Sequence, residues 1–150
     1  MIVSKPLTST ITSFVFFLII TIVVLGMNVW VLTKDPHPAW YNYAIIALLA
    51  PIGLFVFYKI FVRYKIIRLG NNQIEVSFPV LRDSKKYSLA QVSHWAEKQV
   101  STGKKSVYKE LEIKFEDGRK VTLGHKEFSE YPRMIQYLIQ KVPKKKVNLP

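Results

Sequence analysis

Ile11 to Thr33 is a run of 23 residues without a single charge, ITSFVFFLIITIVVLGMNVWVLT. Such a segment is poorly suited to water. As a helix rising 1.5 Å per residue, it is long enough to cross a hydrocarbon layer about 30 Å thick. A cleaved secretory signal is the competing reading, but its apolar region spans only about 7–15 residues and ends at a small-residue cleavage site. VLGMNVWVL offers no such site. The run predicts a retained transmembrane helix over residues 9–33.

A second apolar run, WYNYAIIALLAPIGLFVFYKIFV, occupies residues 40–62. Between the two lies KDPHPA, residues 34–39, whose prolines cannot continue a helix. The pair therefore predicts a tight transmembrane hairpin with an external loop. Trp30, Trp40, Tyr41 and Tyr43 cluster at its bend, as an interfacial aromatic belt does. Lys59, Arg63, Lys65 and Arg68 surround and follow the end of the second span, whereas the bend has Lys34 offset by Asp35. The positive-inside bias then puts both termini, including an N-terminal tail over 1–8, on the cytoplasmic side of a plasma (inner) membrane. Ala44, Ala47, Ala50 and Gly53 recur every three residues, a row that packs against the first helix or forms a homo-oligomer seam. Pro51 is expected to kink the second helix. No acid, Lys, Arg or His lies deep in either span, so neither offers residues for a proton relay.

Beyond residue 62 the chain changes character. It holds 19 of the 22 basic and 9 of the 10 acidic residues there, an excess of +10, and its apolar residues begin to alternate. YKIIRLGNNQIEVSF reads as two strands around Asn71-Asn72, pairing Leu69 with Ile74 and Ile67 with Val76. In LEIKFEDGRKVTL the apolar match selects a three-residue loop, Glu116-Asp117-Gly118. That loop pairs Ile113 with Val121 and Leu111 with Leu123, and places Gly118 in a left-handed bulge. KKYSL and VSHWAEKQV add further strands, with a turn at Arg82-Asp83-Ser84, and residues 101–106 form a polar loop. Phe128, Tyr131, Ile135, Leu138 and Val142 then fall on one helical stripe, with Ser129 as its expected cap, Pro132 in its first turn and Pro143 as its stop. The predicted fold is a two-helix transmembrane hairpin, then a mostly-β domain over 63–142 of about six antiparallel strands and one C-terminal helix, then a basic tail over 143–150.

The patterns YKIIRLGNNQIEV, KKYSLAQVSHWAE and LEIKFEDGRKVTL, set after two spans, resemble the pleckstrin-homology-like (PH-like) domains of small bacterial membrane proteins. The likeness covers roughly residues 64–142. It implies binding or scaffolding beside a membrane, without a cofactor.

The chemistry-bearing residues point the same way. There is no cysteine, hence no disulfide, thiolate nucleophile or thiolate metal site. His37, His94 and His125 have no metal-ligand spacing. Glu110 and Glu112 are expected on a solvated strand face, and Glu116 and Asp117 in a turn. GKKS at 103–106 lacks the first glycine of a phosphate-binding loop, Lys98 standing in its place. The basic residues remain: Arg63, Lys65 and Arg68 at the membrane exit, Lys104 and Lys105 in a loop, and Lys144, Lys145 and Lys146 in the tail. These form the expected surface for anionic lipid headgroups or a protein partner, each charge contributing about 1 kcal/mol near an anionic leaflet. Nucleic acid is disfavoured, since no basic, aromatic-rich strand surface is present. The expected function is a non-enzymatic, membrane-integral binding protein, the alternative being a scaffold subunit assembled through its hairpin.

Overall fold

The computed structural model describes residues 1–62, 64–103 and 105–149. These divide into two compact units, one comprising Thr8–Tyr64 and the other Met1–Leu7 together with Lys65–Pro150.

The first unit is a pair of helices, α1 (Thr8–Lys34) and α2 (Trp40–Phe57), the second running on into a π-helical turn, Tyr58–Val62. Both are long and apolar enough to cross a membrane. The inward positions recur at alternating steps of four and three: Phe14, Leu18, Thr21, Leu25, Asn28 and Leu32 on α1, Asn42, Ile46, Leu49, Gly53, Val56 and Ile60 on the other side. That spacing is the seam of two helices packed at a shallow angle. Near mid-seam, a Cβ added to Gly53 would lie 3.2 Å from Thr21 Cγ2, and the glycine is what allows the close approach. The helix continues through Pro51.

Among the described residues the second unit contains seven strands, one more than the sequence suggests. The addition is β1 (Ile2–Ser4), in the stretch expected to be a tail. With β2 (Ile66–Gly70), β3 (Gln73–Phe78) and β4 (Asp83–Ser88) it forms an antiparallel sheet in the order β1-β2-β3-β4. A second antiparallel sheet follows, β5 (Val92–Ser101), β6 (Val107–Phe115) and β7 (Lys120–Gly124), in chain order. Helix α3 (Tyr131–Lys141) closes the unit. The core between these layers holds Ile67, Leu69, Ile74, Trp95, Leu111, Ile113, Phe115, Leu123, Met134 and Leu138, each at most 1% exposed.

Both hairpin registers follow from the apolar match. Leu69 faces Ile74 and Ile67 faces Val76, with Asn71 and Asn72 at φ 51° and 58°. Ile113 faces Val121 and Leu111 faces Leu123, and Gly118, at φ 82°, donates its N–H to Phe115 O across the three-residue loop.

Two local expectations change. The β3–β4 turn is Pro79–Arg82, not Arg82-Asp83-Ser84: Phe78 pairs with Asp83, so Asp83 and Ser84 are already in the ladder. Pro79 cannot donate to a ladder and so starts the turn, while Arg82, at φ 51°, ends it. Ser129 does not cap α3; the N-cap is Glu130, with no side-chain cap bond. Ser129 instead clasps the N-terminus. Its Oγ accepts the Lys5 N–H (3.1 Å), its N–H donates to Lys5 O (2.9 Å), and its carbonyl accepts the Ser4 hydroxyl (2.5 Å).

Candidate functional site

Of the eight basic residues singled out from sequence, Arg63 and Lys104 lie outside the described residues. The other six do not form one patch. Lys65 Nζ donates to Thr122 O on β7 (2.5 Å) and lies 5.8 Å from the Phe128 ring centroid. Arg68 pairs with Glu75 (3.4 Å), its direct partner across the β2–β3 ladder. Lys105 and Lys144 are exposed. Lys145 is engaged within the chain: its ammonium donates to the carbonyls of Leu89 (3.1 Å), Ala90 (2.6 Å) and Val92 (2.5 Å). Lys146 Nζ lies 5.5 Å from the Trp95 ring centroid. The small-residue row divides too. Gly53 is buried and Ala50 half-buried toward α1, whereas Ala44 and Ala47 are exposed. A three-residue step drifts around a helix with 3.6 residues per turn, so four such positions do not share one contact face.

A second cationic feature escaped the sequence reading. At the Pro79–Arg82 turn, Val80 and Leu81 are 50% and 55% exposed, with Arg82, Lys85 and Lys86 close by in the chain. Beside it a small cleft of about 110 Å³ is lined by Val76, Phe78, Tyr87 and Val121, and by Lys85, Arg119 and Lys120. Strand alternation explains the mix. Lys85 pairs with Val76 and therefore shares its side of the sheet, the side that carries the core. Tyr87 supports the cleft wall, stacked on Phe115 at 3.9 Å between centroids. Its hydroxyl donates to Asp117 (2.9 Å), whose carboxylate also accepts the Arg119 N–H (2.9 Å). Burial and the Asp117 carboxylate push the Tyr87 phenol upward; the Arg119 N–H, then the Tyr87 hydroxyl and the nearby cations, hold Asp117 below the usual carboxylate range. Arg119 is only loosely matched to Asp83, at 3.9 Å. An apolar floor with Lys85 and Arg119 beside it suits an anionic group next to an apolar one, the Lys120 ammonium being taken up by Glu112. The signal available in sequence was the apolar pair Val80-Leu81 directly ahead of RDSKK.

Glu112 also departs from expectation. It is 7% exposed, not solvated. In the middle strand of its sheet it has a neighbour on each side, and Lys98 and Lys120, both diagonal to it across the ladders, fold their ammonium groups onto Oε2 at 2.6 and 3.1 Å. Burial alone would raise its pKa, but the two lysines outweigh it and hold the carboxyl below its ordinary value of 4.5. A folded-state pKa that is depressed stabilises the fold above the ordinary value, and the contribution is lost as pH falls through the folded one. Glu112→Gln is therefore expected to cost on the order of 1–3 kcal/mol at pH 7, reduced from a fully buried pair because both lysines reach solvent. In urea titrations the gap between the two proteins should close as pH is lowered from 7 toward 3. A gap independent of pH would mean that the ion pair contributes nothing.

Comparison with known proteins adds no relative: no family model, no curated protein and no solved structure matches the chain.

Proposed function

We propose that the chain is a non-enzymatic, two-span membrane protein whose β-unit is a PH-like binding module on the cytoplasmic side, where it engages anionic lipid headgroups. The Pro79–Arg82 turn is the observation that carries this reading. Its exposed Val80 and Leu81 stand among Arg82, Lys85 and Lys86, beside a cleft lined by Lys85 and Arg119. A surface of this composition gains by burying its apolar tip at headgroup depth and by attracting anionic lipid, about 1 kcal/mol per charge.

Strand register supports the placement. Phe78 and Asp83, which close the turn, lie at the same end of the first sheet as Ser4 and Ile66, where the chain leaves for the apolar helices and returns from them. The pairing of β1 with β2 supports a reading in which both flanks of the hairpin are on the same side of the membrane. Lys59, Arg63, Lys65 and Arg68 favour the cytoplasmic side. A four-stranded and a three-stranded antiparallel sheet with a C-terminal helix agree with the PH-like resemblance of the sequence.

The chain has no cysteine, so Leu81→Cys accepts a single polarity-sensitive fluorophore. In nanodiscs, the full chain should show blue-shifted emission in anionic lipid relative to neutral lipid. The shift should vanish at about 0.5 M salt, where the Debye length is only a few ångströms, and in an Arg82/Lys85/Lys86→Ala variant. Identical emission in both lipids sinks the lipid reading; a protein partner, sought by cross-linking in intact membranes, then takes its place.

A further inference from the structure

The C-terminal segment is bound like a ligand. After α3 ends, Pro143–Lys145 makes one 3₁₀ turn and the chain reaches the outer edge of β5. Val142 O accepts the Trp95 indole N–H (3.0 Å), and the Val147 N–H donates to Trp95 O (2.8 Å). Lys146 pairs with Trp95 as a single parallel bridge and sets its ammonium over the indole. Lys145 places all three donors of its ammonium on the carbonyls of Leu89, Ala90 and Val92. Those carbonyls belong to a one-turn 3₁₀ helix, Leu89–Gln91, and the residue that follows it; Leu89 O also accepts the Val92 N–H that closes the turn.

These contacts are directional and almost wholly polar. No side chain from Pro143 to Leu149 is buried; Lys144, Lys146, Val147 and Asn148 are exposed. The receptor surface, in contrast, is rigid: Leu89, Val92 and Trp95 belong to the core. A segment held by specific hydrogen bonds but little buried apolar area opens without unfolding what it rests on.

We infer that the Leu89–Val92 carbonyl cradle and the Trp95 edge of β5 form a peptide-binding site for an extended, lysine-bearing segment, which the chain's own tail fills as an intramolecular ligand. The recognition elements are an ammonium for the cradle, a second one over the indole, and one backbone N–H for Trp95 O. A partner peptide with two consecutive lysines followed by an apolar residue supplies the same groups. It adds to the sheet edge in parallel, the mode by which extended peptides join exposed strands. The tethered tail competes at high effective concentration, so the site in the intact chain is self-occupied and weakly available.

The test uses the full chain in neutral-lipid nanodiscs and a fluorescein-labelled peptide of residues 142–150, VPKKKVNLP, followed by anisotropy. Lys145→Gln in the chain weakens its own tail, so the labelled peptide should bind this variant about tenfold more tightly than the wild type. A peptide with the same substitution, or a scrambled one of equal charge, should bind neither. Equal binding of the scrambled peptide, or no gain in a variant whose circular dichroism matches wild type, overturns the site. Should Lys145→Gln fail to fold, hydrogen exchange in the wild type decides. The Val147 amide should exchange at least about a hundredfold faster than the β5 amides paired with β6. Exchange at the same rate makes the tail an integral part of the fold and overturns the proposal.

Discussion

A fragment beginning at Lys65 is expected not to fold stably, although it contains six of the seven strands and α3. It lacks β1, which pairs with β2 through Ile2–Leu69, Val3–Arg68 and Ser4–Ile67. Ser4 is fully buried, and the clasp that follows it comprises its own bond to Ser129 O, two bonds between Lys5 and Ser129, and one from Leu7 N–H to Glu127 O. Four such bonds at about 1 kcal/mol each, with the lost β1–β2 ladder and newly exposed backbone on β2, amount to roughly 5 kcal/mol. Whole domains are stable by only about 5–15 kcal/mol. Joining Met1–Leu7 to Lys65–Pro150 through a short Gly/Ser linker should restore a cooperative transition, since antiparallel pairing brings the Ser4 and Ile66 ends together. For a slope near 2 kcal/mol per molar, the linked form should unfold at a urea concentration about 2.5 M higher than any transition the fragment shows. Equal midpoints would show that β1 is ornamental to the β-unit.

That strand marks where sequence reading stops. The two apolar helices, both hairpin registers and the end of α3 are local matters: a charge-free run, a match of apolar residues over a few positions, a proline. β1 is three residues long, runs into Lys5-Pro6, and finds its partner only across the whole apolar hairpin. Nothing within a window around Ile2 encodes that. Glu112 has the same difficulty in another form. Alternation correctly puts it opposite Leu111 and Ile113, but its burial depends on Lys98 and Lys120 arriving diagonally from two other strands. The sequence assigns the three tail lysines to a surface for anionic headgroups or a protein partner, since no local pattern names a partner within the chain. Two of them are engaged by carbonyls of a 3₁₀ turn and by an indole face more than fifty residues earlier in the chain. The β3–β4 turn was within reach, since Pro79 is a stronger turn signal than Asp83-Ser84.

Trp95 joins the core to the tail, and its replacement should have the other large effect. It is the largest fully buried side chain, in the strand that carries one edge of the second sheet. Trp95→Ala removes that packing and leaves a cavity, a change that costs about 3–5 kcal/mol in well-packed cores. It also strips the Val142 carbonyl of its indole donor and Lys146 of its aromatic face. Trp95→Phe separates these roles. It retains an aromatic ring in the core but cannot donate to Val142, so its cost should include about 1 kcal/mol for the lost bond and stay well below that of Ala. In the linked β-unit, urea midpoints should therefore fall in the order Trp, Phe, Ala. The Phe form should also leave the Val147 amide exchanging faster than in wild type, while amides of β6 and β7 hold their rates. If Ala costs less than about 1.5 kcal/mol, β5 does not sit on a close-packed core. If Phe destabilises as much as Ala, the indole bond to the tail is part of the fold's foundation, and the division between a rigid receptor edge and a tail that opens by itself fails with it.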